Sequence, residues 1–370
     1  MSNILLIHES EQPTLLDLFR ALSRFAYIYD CNVKKQNSLK IKLDEFNWAD
    51  IIICVRGESP ATYALLKEAN KYNKFLIYFL DDDLKDLPRK SYRFPLRRKW
   101  LLRCIKECSM LLTPNKLIGE EYYCYVKQNR FVVINTAVNS AEVIEQVNDN
   151  ENVIKIVYAA SQWHVSDFDA YIKPILYNLF EKYKSKICLY FIGVHPELDI
   201  PEYKDQIKFI DSMPLEKYNL YMASNHFDIG LAPLISNHFS ERKYFNKYIE
   251  YAKVGICGIY SNVMPYRLII KDGWNGLYAS ETPNDWFESI ERAIEDNKLR
   301  REIITNSQSQ LRTDFNENTI FEKLINDIPE LLTMEKCLRS KKFTISLSVI
   351  RLRHRFFRLF EIIYLTCYLL

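Results

Sequence analysis

Short apolar runs alternate with amphipathic stretches along most of this chain, and this alternation limits its fold more than any other feature. Asp50–Val55 (DIIICV) and Lys74–Leu80 (KFLIYFL) are apolar at successive positions, whereas Thr14–Phe25 places its leucines at helical spacing. Strands that are apolar on both faces are typical of a parallel sheet covered by helices. The strands predicted in the first half are Asn3–His8, Asp50–Val55, Lys74–Leu80, Met110–Thr113 and Phe131–Asn135.

The same pattern begins again after a polar, acidic stretch, Ser140–Asn152. Two successive series of this kind predict two doubly wound α/β domains that face each other across a cleft. Ligands of such folds bind at the carboxyl ends of the strands, so we expect the site there. The predicted segments are an N-terminal domain over 1–139, a linker over 140–152, a C-terminal domain over 153–332 and a basic amphipathic tail over 333–370.

Length and composition agree with a two-domain cytoplasmic protein. The 370 residues suffice for two cores, and a formal net charge of +3 gives no signal for nucleic acid. Nine cysteines without CxxC or metal-ligand spacing indicate reduced thiols. The start MSNILLIHES predicts a strand rather than a signal peptide, and no apolar run is long enough to predict a membrane span.

The densest set of motifs lies in Phe227–Ala279, in the predicted C-terminal domain. A buried strand leads to Pro233, a loop follows, and Ser240 is a good N-cap for a helix that we predict to continue to Ala252. A helix that begins just after a strand of a parallel sheet directs its free amide groups toward the ligand edge of that sheet. The sequence thus predicts an anion-binding helix at this position.

The charges of this predicted helix suit a nucleotide. Arg242 lies in the first turn, and Lys243, Lys247 and Glu250 share one face at i, i+4 and i+7. Cations and amides can bind a diphosphate, while a carboxylate accepts hydrogen bonds from two ribose hydroxyls. A solvated charged face is the alternative, and the spacing alone does not exclude it.

This segment resembles the donor-binding region of the retaining family 4 type glycosyltransferases, which have the GT-B fold. The resemblance implies that Glu250 holds the ribose, and that a sugar leaves a nucleotide diphosphate with retention and without a metal. Arg242 stands where the family often has a second glutamate, so the sugar contacts differ. The matching positions are Phe227–Leu234, Lys247, Glu250–Ala252, Gly255, Ser261, Asp272–Gly273 and Asn275–Gly276.

The first strand and loop of the C-terminal domain also resemble this family. Ile156–Asp169 contains His164, for which the resemblance implies a bond to the donor phosphate or the transferred sugar. A histidine at a helix start beside Ser166 is the alternative. Phe191–Gly193 resembles the end of the next strand near the base, and Gly193 is a candidate there. The arginine and lysine usual in this loop are missing, which leaves the diphosphate to the lysines of the predicted helix.

Three acids, Asp81–Asp83, follow the strand KFLIYFL in the N-terminal domain. Asp81 or Asp82 is a candidate catalytic group, because the resemblance puts a histidine that faces the reacting sugar after this strand. A metal-binding DxD and a solvated helix cap are the alternatives. Arg56 also ends a strand, where it can pair with these acids or meet an acceptor phosphate.

Two basic segments indicate contact with a membrane or with an anionic acceptor. The tail Phe343–Leu370 combines arginines with an apolar end too short to span a bilayer, and packing on the protein itself is its alternative. The other segment runs from Arg89 to Lys106, and its cations alternate with aromatic residues. A solvated helix is the alternative for this segment. It contains eight cations and no acid: Arg89, Lys90, Arg93, Arg97, Arg98, Lys99, Arg103 and Lys106.

The sequence therefore predicts a glycosyltransferase that acts on a nucleotide sugar and on a glycan or lipid-linked acceptor, without a further cofactor or nucleic acid. By resemblance it serves bacterial surface polysaccharide synthesis, in the cytoplasm or on the inner face of the plasma membrane. A sugar-nucleotide epimerase of the same fold and a non-catalytic binding partner are the rival hypotheses.

Overall fold

A computed structural model describes residues 2–85, 95–144, 153–334, 342 and 346–369. The strands are Asn3–His8 (β1), Asn32–Asn37 (β2), Ile51–Val55 (β3), Phe75–Phe79 (β4), Met110–Thr113 (β5), Phe131–Val133 (β6), Ile154–Ala159 (β7), Ile187–Ile192 (β8), Ile207–Ile210 (β9), Ile229–Ala232 (β10), Cys257–Ser261 (β11) and Leu277–Ala279 (β12). The helices are Pro13–Ile28 (α1), Leu43–Trp48 (α2), Pro60–Lys71 (α3), Pro95–Glu107 (α4), Lys116–Tyr122 (α5), Val165–Tyr171 (α6), Leu176–Tyr183 (α7), Leu215–Ser224 (α8), His238–Glu241 (α9), Asn246–Lys253 (α10), Pro283–Glu295 (α11), Asn297–Asp314 (α12), Glu317–Asp327 (α13), Glu330–Thr333 (α14) and Leu347–Leu369 (α15).

The chain forms two compact units. The first is built from three separate segments of the chain and the second from two. The first unit contains Met1–Ala137, Arg242–Tyr244 and Glu317–Leu370, and the second contains Val138–Glu241 and Phe245–Asn316. Parts of the predicted linker and of the two basic segments (86–94, 145–152, 335–341 and 343–345) lie outside the described residues.

The first unit is a parallel six-stranded sheet in the order β2-β1-β3-β4-β5-β6. Successive side chains of β3 enter opposite cores: Ile52 and Cys54 pack with α3, whereas Ile51 and Ile53 pack with α1. This alternation follows from the two-residue period of a strand. It explains why the inner strands β3 and β4 are apolar at every position, as the sequence predicted.

The edge strand β2 has the sequence NVKKQN, which does not have the apolar pattern of the inner strands. Among the described residues it pairs only with β1, in the register Asn3↔Asn32, and its side chains are exposed or partly exposed. An edge strand of this kind needs little apolar surface, and its lysines discourage pairing with another chain.

Helices α13 and α14 return to the first unit. Ile320, Phe321 and Leu324 of α13 are buried in the core that also contains Leu15 and Phe25 of α1. The aromatic rings of Phe25 and Phe321 meet edge to face at 5.6 Å. The unit boundary in this structure therefore falls at residue 317, before the 332 that the sequence analysis drew, because this apolar face covers the first sheet.

The second unit begins at Val138, whose N–H donates to the carbonyl of Phe315 at 2.7 Å. Its parallel sheet has the order β12-β11-β10-β7-β8-β9. The chain adds β8 and β9 on one side of β7 and then crosses to place β10 on the other side. The two directions meet between β7 and β10, and this switch point is where a doubly wound sheet offers its ligand crevice.

Two segments of the second unit each divide into two helices. Residues 165–183 divide into α6 and α7 around Pro174, since proline removes a backbone donor and blocks the preceding turn. The helix expected over Ser240–Ala252 divides into α9 and α10. This second break changes the geometry of the candidate site.

Candidate functional site

The candidate site of the second unit lies at the carboxyl edge of its sheet, where β7, β8 and β10 end. Gly193 follows β8 with a φ of +75°, and its N–H donates to the carbonyl of Ile210 at 2.8 Å. A Cβ at this position would lie 2.8 Å from the carbonyl oxygen of Ala160, which follows β7. Glycine is therefore required both for the backbone angle and for the close approach of two strand ends.

His164 and Asp167 connect the loop after β7 to the loop after β10. The Nδ1 of His164 lies 2.6 Å from one carboxylate oxygen of Asp167, and the other oxygen accepts the N–H of Ile235 at 3.0 Å. The hydroxyl of Tyr158 donates to the carbonyl of His164 at 2.7 Å. These bonds hold the imidazole at the switch point between β7 and β10, and they orient it in the manner of a carboxylate–histidine pair.

The loop after β10 contains Pro233, which is buried at the end of the strand. The next residue, Leu234, donates its N–H to the hydroxyl of Ser261 at the end of β11, at 2.8 Å. Two neighbouring strand ends are thereby linked. Pro233 occupies the predicted edge position and carries no donor that points toward a ligand.

Ser240 is not the N-cap that the sequence analysis predicted. It lies inside α9 and is buried, and its hydroxyl donates to the carbonyl of Ile235 at 2.7 Å. Asn237 caps this short helix instead, because its side-chain oxygen accepts the N–H groups of Phe239 and Ser240 at 3.1 and 2.9 Å. Ser240 thus fixes the loop rather than presenting a hydroxyl to a phosphate.

Lys243 is not on the same helix face as Lys247 and Glu250, contrary to prediction. It lies in the four-residue break between α9 and α10, and its carbonyl accepts the side-chain amide of Asn115 at 2.7 Å. A residue outside the helix does not keep the i, i+4 spacing. The predicted row of three charged groups is therefore reduced to two.

Arg242 belongs to the first unit in this structure. Its Nε donates to Glu121 at 2.9 Å and lies 3.6 Å from Asp83, a fully buried carboxylate. The guanidinium side chain is itself mostly buried. This arrangement is a specific ion-pair network within one unit and not the first-turn phosphate contact that the sequence analysis predicted.

Glu250 and Lys247 stand together on the first turns of α10. Lys247 donates to a carboxylate oxygen of Glu250 at 2.5 Å, and the hydroxyl of Tyr218 donates to the same oxygen at 2.9 Å. Glu250 remains about one-third exposed and Lys247 about one-quarter. In a parallel α/β unit this end of α10 faces the carboxyl edge of the sheet, so a charged, solvent-accessible pair lies where a ligand is expected.

Two tyrosines lie close enough to the acids of this edge for the charges of those acids to act on them. Burial, followed by the charge of Glu250, raises the pKa of Tyr218 well above its ordinary value. Burial and then the charges of Glu250 and Asp167 likewise raise the pKa of Tyr266. The charges of Glu250 and Asp167 thus both act on Tyr266. Neither tyrosine was predicted from the sequence, since a tyrosine in an amphipathic segment gives no separate signal.

In the first unit the acids after β4 are neutralised by Arg56. The guanidinium contacts Asp81 with two nitrogens, donates to Asp82 at 2.6 Å and donates to Gln12 at 2.8 Å. Burial and the charge of Asp81 raise the pKa of Asp82, and Arg56 opposes this effect. Of the possibilities left open for Arg56, the structure has the ion pair with the acidic triplet.

Arg97 is turned inward, so it does not belong to the exposed basic surface that the sequence analysis predicted. It bonds to the buried carboxylates of Glu58 and Glu361. The neighbouring cations Arg98 and Lys99 are exposed, and Arg98 donates to the carbonyl of Lys85 at 2.6 Å. Arg97 also lines a cavity of about 330 Å³ at the carboxyl edge of the first sheet, together with residues that include Glu9, Arg56, Glu58, His354 and Phe357.

Glu58, the buried acid that lines this cavity, should make the stability of the protein depend on pH. Burial raises the pKa of Glu58 from 4.5 to about 8, with Arg97 opposing the shift. The folded protein therefore binds a proton that the unfolded chain releases above pH 4.5, so the free energy of unfolding falls as pH rises from about 4.5 to about 8. We expect Glu58→Gln to remove at most about 5 kcal/mol of this decline.

Urea unfolding of the wild type and of Glu58→Gln at several pH values measures this effect. The matched control is Glu302→Gln, which changes an exposed acid on α12. Equal pH slopes in wild type and Glu58→Gln would contradict the assignment.

Solved structures with the same architecture were found, although no family model matches the sequence and no curated protein matches it. HepE from Anabaena, in complex with UDP and glucose, has 13% identity and a TM-score of 0.63 over 89% of this chain and 100% of its own. Sucrose-phosphate synthase from Thermosynechococcus elongatus has 11% identity and a TM-score of 0.61 over 90% and 100%. The lipopolysaccharide outer core galactosyltransferase WaaB has 14% identity and a TM-score of 0.54 over 89% and 99%.

The structural similarity to these neighbours extends over almost the whole chain, so it includes both parallel sheets. At such low identity the likeness concerns the fold. Two doubly wound parallel-sheet units followed by a C-terminal helix confirm the predicted architecture, and the chain has the GT-B fold.

Proposed function

We propose that this protein is a glycosyltransferase that moves a sugar from a nucleotide diphosphate sugar to a hydroxyl group of a glycan or lipid-linked acceptor. The observation that carries the proposal is the accessible Glu250–Lys247 pair on α10, at the ligand edge of the second unit. A carboxylate beside an ammonium suits a ribose next to a diphosphate. The structures of HepE with UDP-glucose and with UDP support this class of donor for the fold.

In the proposed reaction the acceptor hydroxyl attacks the anomeric carbon on the same face from which the diphosphate departs, as retention requires. The bond between the carbon and the diphosphate oxygen breaks, and the hydroxyl proton passes to the released diphosphate. Glu250 accepts hydrogen bonds from the ribose hydroxyls, and Lys247 stabilises the negative charge that grows on the leaving diphosphate. His164, held by Asp167, is placed to form a hydrogen bond with a phosphate or with a hydroxyl of the sugar. The N–H groups of the loop around Gly193 lie at the same edge.

The finer features of the proposal rest on separate grounds. Retention at the anomeric carbon rests on the likeness of Phe227–Ala279 to the retaining family. Independence of a metal is supported by Arg56, which already supplies a cation to Asp81 and Asp82. A role in surface polysaccharide synthesis follows from the same likeness, and a cytoplasmic location is supported by free cysteines, five of which are buried among those described.

The test is a thermal-unfolding screen of the wild-type protein against UDP, GDP, dTDP and CMP sugars, followed by a donor-hydrolysis assay. A donor present at about 100 times its dissociation constant adds about 2.7 kcal/mol to the free energy of unfolding. We expect stabilisation by one nucleotide class and slow release of its nucleoside diphosphate. Conversion of the sugar without an acceptor would favour the epimerase, and binding without turnover over a broad acceptor panel would favour the non-catalytic partner.

A further inference from the structure

Helix α15 is fixed to the first unit by one face. Ile350, Phe357 and Glu361 are buried, and their spacing of seven and four residues places them on a single side of the helix. Glu361 accepts a bond from Arg97, and Arg351 donates to the carbonyl of Leu39 at 2.8 Å. The buried stripe and these two bonds together fix the rotation of the helix about its own axis.

The opposite side of α15 is apolar and exposed. At 100° per residue the side chains of Leu352, Phe356 and Leu359 point away from the buried stripe, and each is more than half exposed. Isolated exposed apolar residues are ordinary, but a continuous row on one helix marks a surface that contacts something apolar. The members of this outer face are Val349, Leu352, Phe356, Leu359, Phe360, Ile362 and Ile363.

Cations flank the outer face. Arg351 and Arg355 lie along one border and Arg353 along the other, and all three are exposed. The acid of this helix, Glu361, is buried and bonded to Arg97 and Arg358, so it does not offset the outward charge. An apolar centre between arginine borders complements a surface that is apolar inside and negatively charged at its rim, which describes an anionic lipid bilayer.

We propose that the outer face of α15 docks this protein on an anionic membrane surface. The helix lies in the plane of the interface, with Phe356 and Phe360 among the acyl chains and the arginines among the phosphates. Among the described residues no helix is sufficiently long and apolar to cross a bilayer, so the contact is peripheral. A second copy of the chain fits this face less well, because two such helices would bring arginine borders together.

Docking through α15 would fix the distance between the membrane and the cavity at the carboxyl edge of the first sheet. The inner side of α15 contributes His354, Phe357 and Arg358 to the wall of that cavity. A helix with its side chains is about 10 Å across, so the cavity lies about one helix diameter from the lipid headgroups. This distance suits an acceptor whose lipid part stays in the bilayer, a point that rests on the proposed function, whereas the docking itself does not.

Sedimentation with sucrose-loaded vesicles tests the docking. We expect the wild-type protein to bind vesicles of phosphatidylcholine with about 30 mol % phosphatidylglycerol, and to bind more weakly when the salt concentration rises. Phe356→Ser with Phe360→Ser should lower the partition coefficient at least about tenfold. Arg353→Glu with Arg355→Glu should lower it by a similar factor on the anionic vesicles and have little effect on phosphatidylcholine alone.

The matched control replaces two exposed lysines of the second unit, Lys204→Glu with Lys298→Glu, and changes the net charge by the same amount. This control should bind almost as well as the wild type. Absence of wild-type binding to any vesicle, or an equal loss in the control, would overturn the proposal. A dimer in light scattering that Phe356→Ser with Phe360→Ser dissociates would assign the face to a second copy instead.

Unfolding temperatures and donor binding separate this proposal from the proposed function. The substituted side chains are exposed, so all variants should keep the wild-type unfolding temperature and the wild-type stabilisation by nucleotide sugar. Loss of vesicle binding with donor binding intact concerns α15 alone. Failure of donor binding in every protein, with vesicle binding intact, would concern only the proposed function.

Discussion

The Glu250→Gln variant is expected to bind its nucleotide sugar about 100-fold more weakly than the wild type. The amide keeps the shape of the carboxylate but loses its charge and one acceptor oxygen, and hydrogen bonds to a charged group contribute about 1.5–3 kcal/mol each. A loss of about 3 kcal/mol corresponds to this factor. Isothermal titration calorimetry with the donor identified in the thermal screen measures the change.

Two comparisons make this result specific. Glu302→Gln, an exposed acid on α12, should bind the donor as the wild type does. Without ligand, Glu250→Gln should unfold within about 1 kcal/mol of the wild type, because the Lys247–Glu250 pair is accessible to solvent and such pairs contribute little. Unchanged donor affinity in Glu250→Gln would remove the ribose role and with it the proposed site.

Arg97→Leu is expected to lower the free energy of unfolding by about 3–5 kcal/mol. The guanidinium bonds to Glu58 and Glu361, which are 6% and 2% exposed. Its removal takes the cation from buried Glu58 and leaves buried Glu361 with Arg358 alone. Burial already raises the pKa of Glu58, so this carboxyl group can respond by keeping its proton, and the defect should be smaller at pH 5 than at pH 8. Urea unfolding at both pH values measures it.

The same variant should loosen α15, because Glu361 is its charged contact with Arg97. Hydrogen exchange over Leu347–Leu369 should accelerate in Arg97→Leu and stay unchanged in Arg98→Leu, whose side chain is exposed. Adding Glu58→Gln and Glu361→Gln to Arg97→Leu should restore part of the lost stability. Full stability of Arg97→Leu at pH 8 would show that the buried network contributes nothing.

The inner strands of the first sheet were predictable because burial on two faces leaves a plain apolar signature. β3 and β4 have this signature, and the structure contains both of them within a residue or two of the predicted bounds. β2 does not have it, since an edge strand has few apolar contacts to satisfy. Helix α13 has a buried apolar face, but periodicity does not identify the core that receives such a face. The return of α13 to the first unit was therefore visible only in the structure.

The candidate site was less predictable than the fold because it depends on one local break. A helix through Ser240–Ala252 would align Lys243 with Lys247 and Glu250, and no proline or glycine marks the interruption at residues 242–245. The break follows from distant contacts, among them Arg242 with Glu121 and Asn115 with the carbonyl of Lys243. Lys247 and Glu250 remain neighbours because three residues within one continuous helix keep their spacing.

The segmented first unit has a consequence for the order in which the protein is made. The ribosome releases the second unit, Val138–Asn316, before it releases Glu317–Leu370. Ile320 and Phe321 of the late segment pack against Leu15 and Phe25 in the core of the first unit. One face of the first sheet therefore stays partly uncovered until this segment is made, although the sequence of the second unit is already complete. The amino-terminal part is therefore synthesised first and completed last, and during that interval its uncovered apolar face is the natural target of a chaperone.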